Sequence, residues 1–135
     1  IDQVLVTPGA NIGIFYAVYC LVDPGYEVIV PDPGFPTYYS TIRMCGSFAV
    51  RVPLKETNQF RMNPDDVRKA ITGRTRLIII NSPHNPTGSV MTKDEIFEIY
   101  EIAKKKKLLI YLLFLLIPLV NLEVTVMIYQ TLYYL

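Results

Sequence analysis

Cysteine, histidine and net charge are all scarce in this sequence of 135 residues. The two cysteines, Cys20 and Cys45, lie in apolar surroundings without CxxC spacing. We therefore expect buried, reduced thiols rather than a disulfide or a metal site. The formal net charge is only +1, and this balance gives no indication of nucleic-acid binding.

Charge is also nearly absent from residues 108–135, where Glu123 is the only charged residue. Up to Lys107, by contrast, charged residues are scattered among apolar stretches as in a globular domain. The sequence therefore predicts a domain over residues 1–110 and a hydrophobic tail over residues 111–135. Ile1 leads directly into a strand-like run without a basic start, so we expect no signal peptide in this sequence. A start in the middle of a strand predicts a piece of a longer protein.

Two kinds of apolar run alternate along the first 110 residues, one with the spacing of a strand and the other with the spacing of a helix. Strands are predicted at "QVLVT", "YEVIVP", "SFAVRVPL", "TRLIIIN" and around Ile110, and helices at "ANIGIFYAVYCLV", from about Thr37 to Gly46, at "NPDDVRKAIT" and at "TKDEIFEIYEIAKKKK". Strands this apolar, alternating with helices, predict an α/β fold with a mostly parallel sheet covered by helices on both faces.

Local sequence signals mark the starts of two of these helices. Pro64 suits a first helical turn and has acidic neighbours, and Thr92 with Glu95 forms a capping-box pattern. The buried face of the last helix is predicted to consist of Ile96, Ile99, Tyr100 and Ala103.

Ligands of such sheets bind beyond the carboxyl ends of the strands, so the loops that follow strands are the candidate site. In the first of them, "TPGAN", Gly9 permits a tight turn, and Ala10 and Asn11 open a helix. The first N–H groups of a helix lack intrahelical partners and attract anions such as phosphate. Taken by itself, this pattern favours an ordinary capped turn over an anion site.

The second loop, "PDPGFPTY", is stiffened by prolines and glycine, and presents Phe35, Tyr38 and Tyr39 at the same end of the sheet. An aromatic ring held by a rigid loop can stack on a flat ligand. Packing onto the helix beneath is the alternative, and it suits Tyr39 better than Phe35.

The third loop, "NSPHNPTG", carries the amides of Asn81 and Asn85, which both donate and accept hydrogen bonds. Pro86 favours an extended conformation at Asn85, which directs the Asn85 amide out of the loop. His84, the only histidine, is interpreted as a hydrogen-bonded spacer rather than a catalytic base.

Together, "VTPGAN", "DPGYEVIVPDPGFPTY" and "NSPHNPTG", followed by "TKDEI", resemble the class I/II aminotransferases. These are pyridoxal-phosphate enzymes of the aspartate aminotransferase fold, and the resemblance implies an incomplete part of their fold type I large domain. It implies that Gly9, Ala10 and Asn11 hold the phosphate of pyridoxal 5'-phosphate, that Phe35 stacks on its ring and that Asn85 binds its phenolic oxygen.

The same resemblance implies a function for the intact protein, namely transfer of an amino group between an amino acid and a 2-oxo acid. A homodimer and a cytoplasmic location are further expectations from the family. No metal is implied.

The sequence departs from the family after Ile110. Where relatives have serine-aspartate-glutamate-isoleucine-tyrosine, this chain has "YLLFL", with Leu112 at the aspartate and Leu115 at the tyrosine. The lysine that binds the cofactor covalently and the arginines for phosphate and substrate belong to later family segments. We therefore assign no catalytic residue and expect the chain to be inactive by itself. The alternative is a non-catalytic remnant that binds the cofactor or a partner, with membrane association through its tail.

Three interpretations of residues 108–135 follow. The first is a lost reading frame or a retained non-coding segment, which explains the abrupt end of the family pattern and is preferred. The second is a membrane anchor, although the apolar stretch Leu108–Val120 is shorter than the roughly 17 to 25 residues that a spanning helix needs. The third is a pair of hydrophobic strands that turns between Pro118 and Asn121.

Overall fold

In the computed structural model, which describes residues 5–113, helices and strands alternate from Ala10 onward. The elements are α1 (Ala10–Leu21), β1 (Glu27–Asp32), α2 (Pro36–Met44), β2 (Phe48–Pro53), a short 3-10 helix (Glu56–Asn58), α3 (Pro64–Ala70), β3 (Thr75–Asn81), α4 (Lys93–Lys106) and β4 (Leu109–Leu113).

The four described strands form one sheet in the order β2-β1-β3-β4, and every neighbouring pair is parallel. The register pairs Ile29 with Ile78 and Ile79 with Tyr111. Because parallel strands are joined by helical crossovers, helices cover both faces of the sheet, and the two inner strands β1 and β3 are mostly buried. The predicted α/β fold with a mostly parallel sheet is confirmed.

Side chains of the strands alternate between two apolar cores, as the period of two in a strand requires. On β3, Leu77 and Ile79 belong to the core beneath α1 and α2, whereas Ile78 and Ile80 belong to the core beneath α3 and α4. All four are at most 1% exposed. Each buried aliphatic side chain of this size contributes about 1.5 to 3 kcal/mol relative to its exposed form, so β3 contributes strongly to the stability of the fold.

Both predicted helix-start signals are present in the structure. Pro64 occupies the first turn of α3, and the Asn63 side chain before it accepts a hydrogen bond from the Asp65 N–H at 2.8 Å. Thr92 and Glu95 form both hydrogen bonds of the capping box at the start of α4. Lys107 ends α4 in the left-handed conformation, with φ of 55°.

Three local expectations differ from the structure. Leu5 to Thr7 of the predicted first strand are not in a strand, because β propensity becomes structure only beside a pairing partner, and Leu5 is instead exposed. Cys20 is exposed and Cys45 is only partly buried, although both are free thiols. On α4, Ile102 is buried with Ile99 and Ala103, whereas Ile96 and Tyr100 are only partly buried.

The predicted tail lies mostly outside the described residues. Its start continues the sheet, since β4 pairs with β3 as far as Leu113. Among residues 5–113, no helix is long and apolar enough to cross a membrane.

Candidate functional site

A cavity of about 470 Å³ opens at the carboxyl ends of β3 and β4, where the three candidate loops meet. All five predicted site residues border it: Gly9, Ala10, Asn11, Phe35 and Asn85. The remaining lining residues are Pro8, Ile14, Tyr38, Asn81, Pro83, His84, Pro86, Gly88 and Leu113. The volume falls within the roughly 300 to 1,000 Å³ typical of small-molecule sites.

The first loop contributes the amino end of α1. Gly9 precedes the helix with φ of 97°, a conformation that L side chains rarely adopt, and its N–H donates to the Thr7 carbonyl at 2.8 Å. Within the described residues 5–113, no side chain caps α1, and the first turn of this helix contains no acidic residue. The free N–H groups of this turn, together with the helix dipole, favour an anion beside Ala10 and Asn11.

The second loop contributes Phe35, which immediately precedes α2. The Phe35 ring meets Tyr38 edge-on, with centroids 6.0 Å apart and an angle of 77° between the planes. Tyr39 is directed elsewhere, since its hydroxyl donates to the Pro31 carbonyl at 3.1 Å and Arg51 stacks over its ring. Phe35 and Tyr38 therefore border the cavity, and Tyr39 has the packing role expected for it.

The third loop contributes Asn85. Its backbone N–H donates to the Asn81 Oδ1 at 2.8 Å, and its side chain is exposed. Within residues 5–113, no hydrogen bond holds the side-chain amide of Asn85. That amide is therefore available to a ligand in the cavity.

His84 is buried beside Asn85 and is held by its own loop. Its Nδ1 lies 2.8 Å from the Thr87 hydroxyl, which donates to Ser89, and the Ser89 hydroxyl donates to the Phe60 carbonyl. Burial lowers the pKa of His84 below its ordinary value, and the nearby Pro33 backbone opposes this shift in part. These contacts agree with the spacer interpretation of His84.

Two further polar residues border the cavity, Asn81 and Tyr38, and neither is among the five predicted site residues. Asn81 ends β3 and is only 4% exposed, and Tyr38 is fully buried and donates to the Asn81 Oδ1 at 3.3 Å. Burial raises the pKa of Tyr38, which therefore stays protonated as a donor at neutral pH. The sequence signal for Asn81 is a polar residue that closes an otherwise apolar strand.

The β4 residue at the cavity is Leu113, not Leu112. Leu113 packs in the core beneath α1 and α2, whereas Leu112 packs on the opposite face with the core beneath α3 and α4. A carboxylate at position 112 would point away from Asn85. The expectation that Leu112 stands at the aspartate position of the site therefore differs by one residue from the position that borders the cavity, because adjacent strand residues face opposite sides. Leu115 lies outside the described residues.

The sequence matches the family model for aminotransferase class I and II over residues 1–112. An aspartate aminotransferase of Sulfolobus acidocaldarius is 39% identical over 110 residues, which is 80% of this chain and 28% of the relative. A probable N-succinyldiaminopimelate aminotransferase of Mycobacterium tuberculosis is 44% identical over 109 residues, again 80% of this chain and 28% of the relative.

Solved structures agree with these sequence matches. N-Succinyldiaminopimelate aminotransferase from Mycobacterium tuberculosis superposes with a TM-score of 0.76 at 43% identity, covering 80% of this chain and 28% of that one. The aromatic aminotransferase from Pyrococcus horikoshii gives a TM-score of 0.75 at 36% identity, covering 77% of this chain and 28% of that one. The chain thus spans little more than a quarter of the length of these relatives.

Proposed function

Because the chain belongs to the aminotransferase class I and II family, we propose that it is the cofactor-binding part of an aminotransferase. The intact protein would transfer an amino group between an amino acid and a 2-oxo acid, with pyridoxal 5'-phosphate as cofactor. A homodimer and a cytoplasmic location remain predictions from the family.

One observation carries the proposal: Gly9, Ala10, Asn11, Phe35 and Asn85 border a single cavity. The donor set fits the cofactor at three of its chemical groups. Uncapped N–H groups suit a phosphate, an aromatic edge suits a flat ring and an unbonded amide suits a phenolic oxygen.

In this proposal each residue has a binding role. Gly9, Ala10 and Asn11 bind the phosphate through backbone N–H groups, Phe35 packs against the ring, and the Asn85 amide donates to the phenolic oxygen. When bound, pyridoxal phosphate supplies an electron-accepting ring to the reaction.

The 135-residue chain by itself is proposed to bind the cofactor without catalysing transamination. Among the described residues that border the cavity there is no lysine and no carboxylate. A covalent cofactor bond needs a lysine at the site, and a protonated ring nitrogen needs a negative neighbour. A non-catalytic cofactor-binding remnant is therefore the second candidate, and Leu113 at the cavity favours it.

Titration of the purified chain with pyridoxal 5'-phosphate tests the binding proposal. We expect saturable changes in visible absorbance, competition by inorganic phosphate, and weaker binding by Asn85→Ala and Phe35→Leu. Borohydride reduction followed by mass spectrometry identifies molecules in which the cofactor has reacted with surface lysines instead. The absence of saturable binding, or equal affinities in all variants, would overturn the proposal.

A transamination assay with aspartate and a 2-oxo acid tests the proposed inactivity of the 135-residue chain by itself. Turnover at an ordinary enzymatic rate by this chain would contradict that inactivity and, with it, the non-catalytic candidate. Binding of the cofactor without turnover agrees with both.

A further inference from the structure

The side chain of Asn81 uses its full hydrogen-bonding capacity inside the fold. Its Oδ1 accepts from the Asn85 N–H at 2.8 Å and from the Tyr38 hydroxyl at 3.3 Å. Its Nδ2 donates to the carbonyl oxygens of Pro83 at 2.9 Å and Leu113 at 3.3 Å. An amide has two acceptor positions and two donors, so all four are satisfied.

These four bonds join separate elements that form one wall of the cavity. Tyr38 belongs to α2, Leu113 to β4, and Pro83 and Asn85 to the loop after β3. Each of the four partners borders the cavity, and so does Asn81 itself. Asn81 therefore connects the second and third candidate loops with β4.

The bond to Asn85 has the greatest consequence for the site. Asn85 lies in an exposed part of the loop, and its N–H is held by the buried Asn81 Oδ1 rather than by a strand or helix partner. The orientation of the exposed Asn85 amide therefore depends on a side chain and not on a backbone ladder. A loop fixed in this way is preorganised, which reduces the entropy lost on binding a ligand.

The residue type at position 81 is restricted by this arrangement. Aspartate keeps both acceptors but lacks the two donors, and leucine of similar size lacks all four functions. Only asparagine, whose amide follows a single methylene group, can form hydrogen bonds with β4, the loop and α2 at these distances.

We propose that Asn81 is a positioning residue of the cofactor cavity, which acts through the Asn85 backbone N–H to direct the Asn85 amide toward the ligand. This inference rests on the proposed function for its ligand, but the Asn81–Asn85 link is measurable without one.

The first measurement is amide hydrogen exchange in the ligand-free 135-residue chain. We expect Asn81→Leu to accelerate exchange at Asn85 at least about tenfold, which corresponds to the loss of one hydrogen bond. Asn81→Asp retains the acceptor and keeps Asn85 protected, even where it lowers global stability as much as Asn81→Leu does. A purely structural role for Asn81 would not separate the two variants in this way. Equal protection of Asn85 in wild type and Asn81→Leu would overturn the link.

The second measurement is the Kd for pyridoxal 5'-phosphate in a double-mutant cycle with Asn85→Ala. If Asn81 acts through Asn85, Asn81→Leu and Asn85→Ala each weaken binding about tenfold, and the double variant is no weaker than either. Independent, additive losses would overturn the proposal. Inorganic phosphate, which does not need Asn85, binds wild type and variants alike.

Asn58→Ala is the matched control. The Asn58 side chain also donates to a backbone carbonyl, that of Arg61 at 3.1 Å, but it does not border the cavity. We expect no change in Asn85 exchange or in cofactor affinity. If the wild-type chain fails to bind pyridoxal phosphate, the proposed function fails while the exchange result still decides whether Asn81 fixes Asn85. Should Asn81→Leu not fold, loss of Asn85 protection in a folded Asn81→Asp variant would contradict the proposal.

Discussion

The carbonyl oxygen of Pro31 lies so close to Gly34 that a Cβ atom at Gly34 would stand 2.3 Å from it. The Tyr39 hydroxyl would be 3.0 Å from the same Cβ. Gly34 immediately precedes Phe35, so this close approach of backbone to backbone sets the path of the loop that carries the aromatic ring. Only glycine fits there without movement of the loop.

We expect Gly34→Ala to lower the free energy of unfolding by about 1 to 3 kcal/mol, the usual cost of overpacking. It should also weaken cofactor binding, since relief of the clash displaces Phe35. Urea denaturation measures the first effect and titration with pyridoxal phosphate the second. Gly73→Ala is the control, because a Cβ at Gly73 meets nothing within 4 Å. A loss at Gly34 no larger than the loss at Gly73 would contradict the steric account.

A buried carboxylate lies at the amino end of the sheet, opposite the cavity. Glu27, at the start of β1, pairs with the Arg74 Nη2 at 2.9 Å and accepts from Thr72, while its side chain is only 6% exposed. We expect Glu27→Gln to destabilise the fold by about 1 to 3 kcal/mol, because a hydrogen-bonded charge is replaced by a neutral group. Arg74 is 66% exposed and screened by solvent, which keeps the loss below that of a fully buried pair.

Glu98→Gln serves as its control. The ion pair of Glu98 with Arg68 has a distance of 3.0 Å, but both side chains are about half exposed. Exposed pairs contribute about 0 to 1 kcal/mol, so we expect a small change in denaturant midpoint. Equal losses for Glu27→Gln and Glu98→Gln would show that burial of Glu27 adds nothing.

His84 gives the fold a pH dependence. Its folded-state pKa is lowered by burial from the ordinary value of 6.5, so the unfolded chain takes up the proton more readily. The contribution of His84 to the free energy of unfolding should therefore be fully present above pH 6.5. It should decrease as the pH falls through 6.5 toward the lowered folded-state pKa. Urea denaturation at several pH values measures this slope.

His84→Asn isolates the contribution, because asparagine keeps a polar group near Thr87 and does not titrate. The stability difference between wild type and variant should change with pH in this window. A constant difference would mean that other groups cause the dependence.

The elements that the sequence predicted correctly depend on short-range signals. Thr92 with Glu95, and Pro64 with its acidic neighbours, mark helix starts through signals within one turn, and the alternation of Ile78 and Ile79 between two cores follows from strand geometry. Such features depend on neighbours in sequence, so their residue types reveal them.

The features that sequence reasoning missed depend on distant partners. The role of Asn81 requires Tyr38 and Leu113, which come from other elements. The exposure of Cys20 depends on which face of α1 meets the sheet. At β4, an error of one residue reverses the side of the sheet, so Leu112 and Leu113 exchange roles although both are leucine.

Replacement of Leu113 by aspartate tests which β4 position faces the cofactor. A carboxylate at the cavity favours the protonated form of a nearby ring nitrogen, so we expect Leu113→Asp to raise the pH at which the absorbance of bound pyridoxal phosphate changes. Leu112→Asp adds the same charge on the opposite face, against the core beneath α3 and α4. It should destabilise the fold without altering that absorbance titration. Circular dichroism confirms that each variant is folded before the titration is compared. A spectral change in Leu112→Asp but not in Leu113→Asp would reverse the assignment and restore Leu112 to the cofactor side.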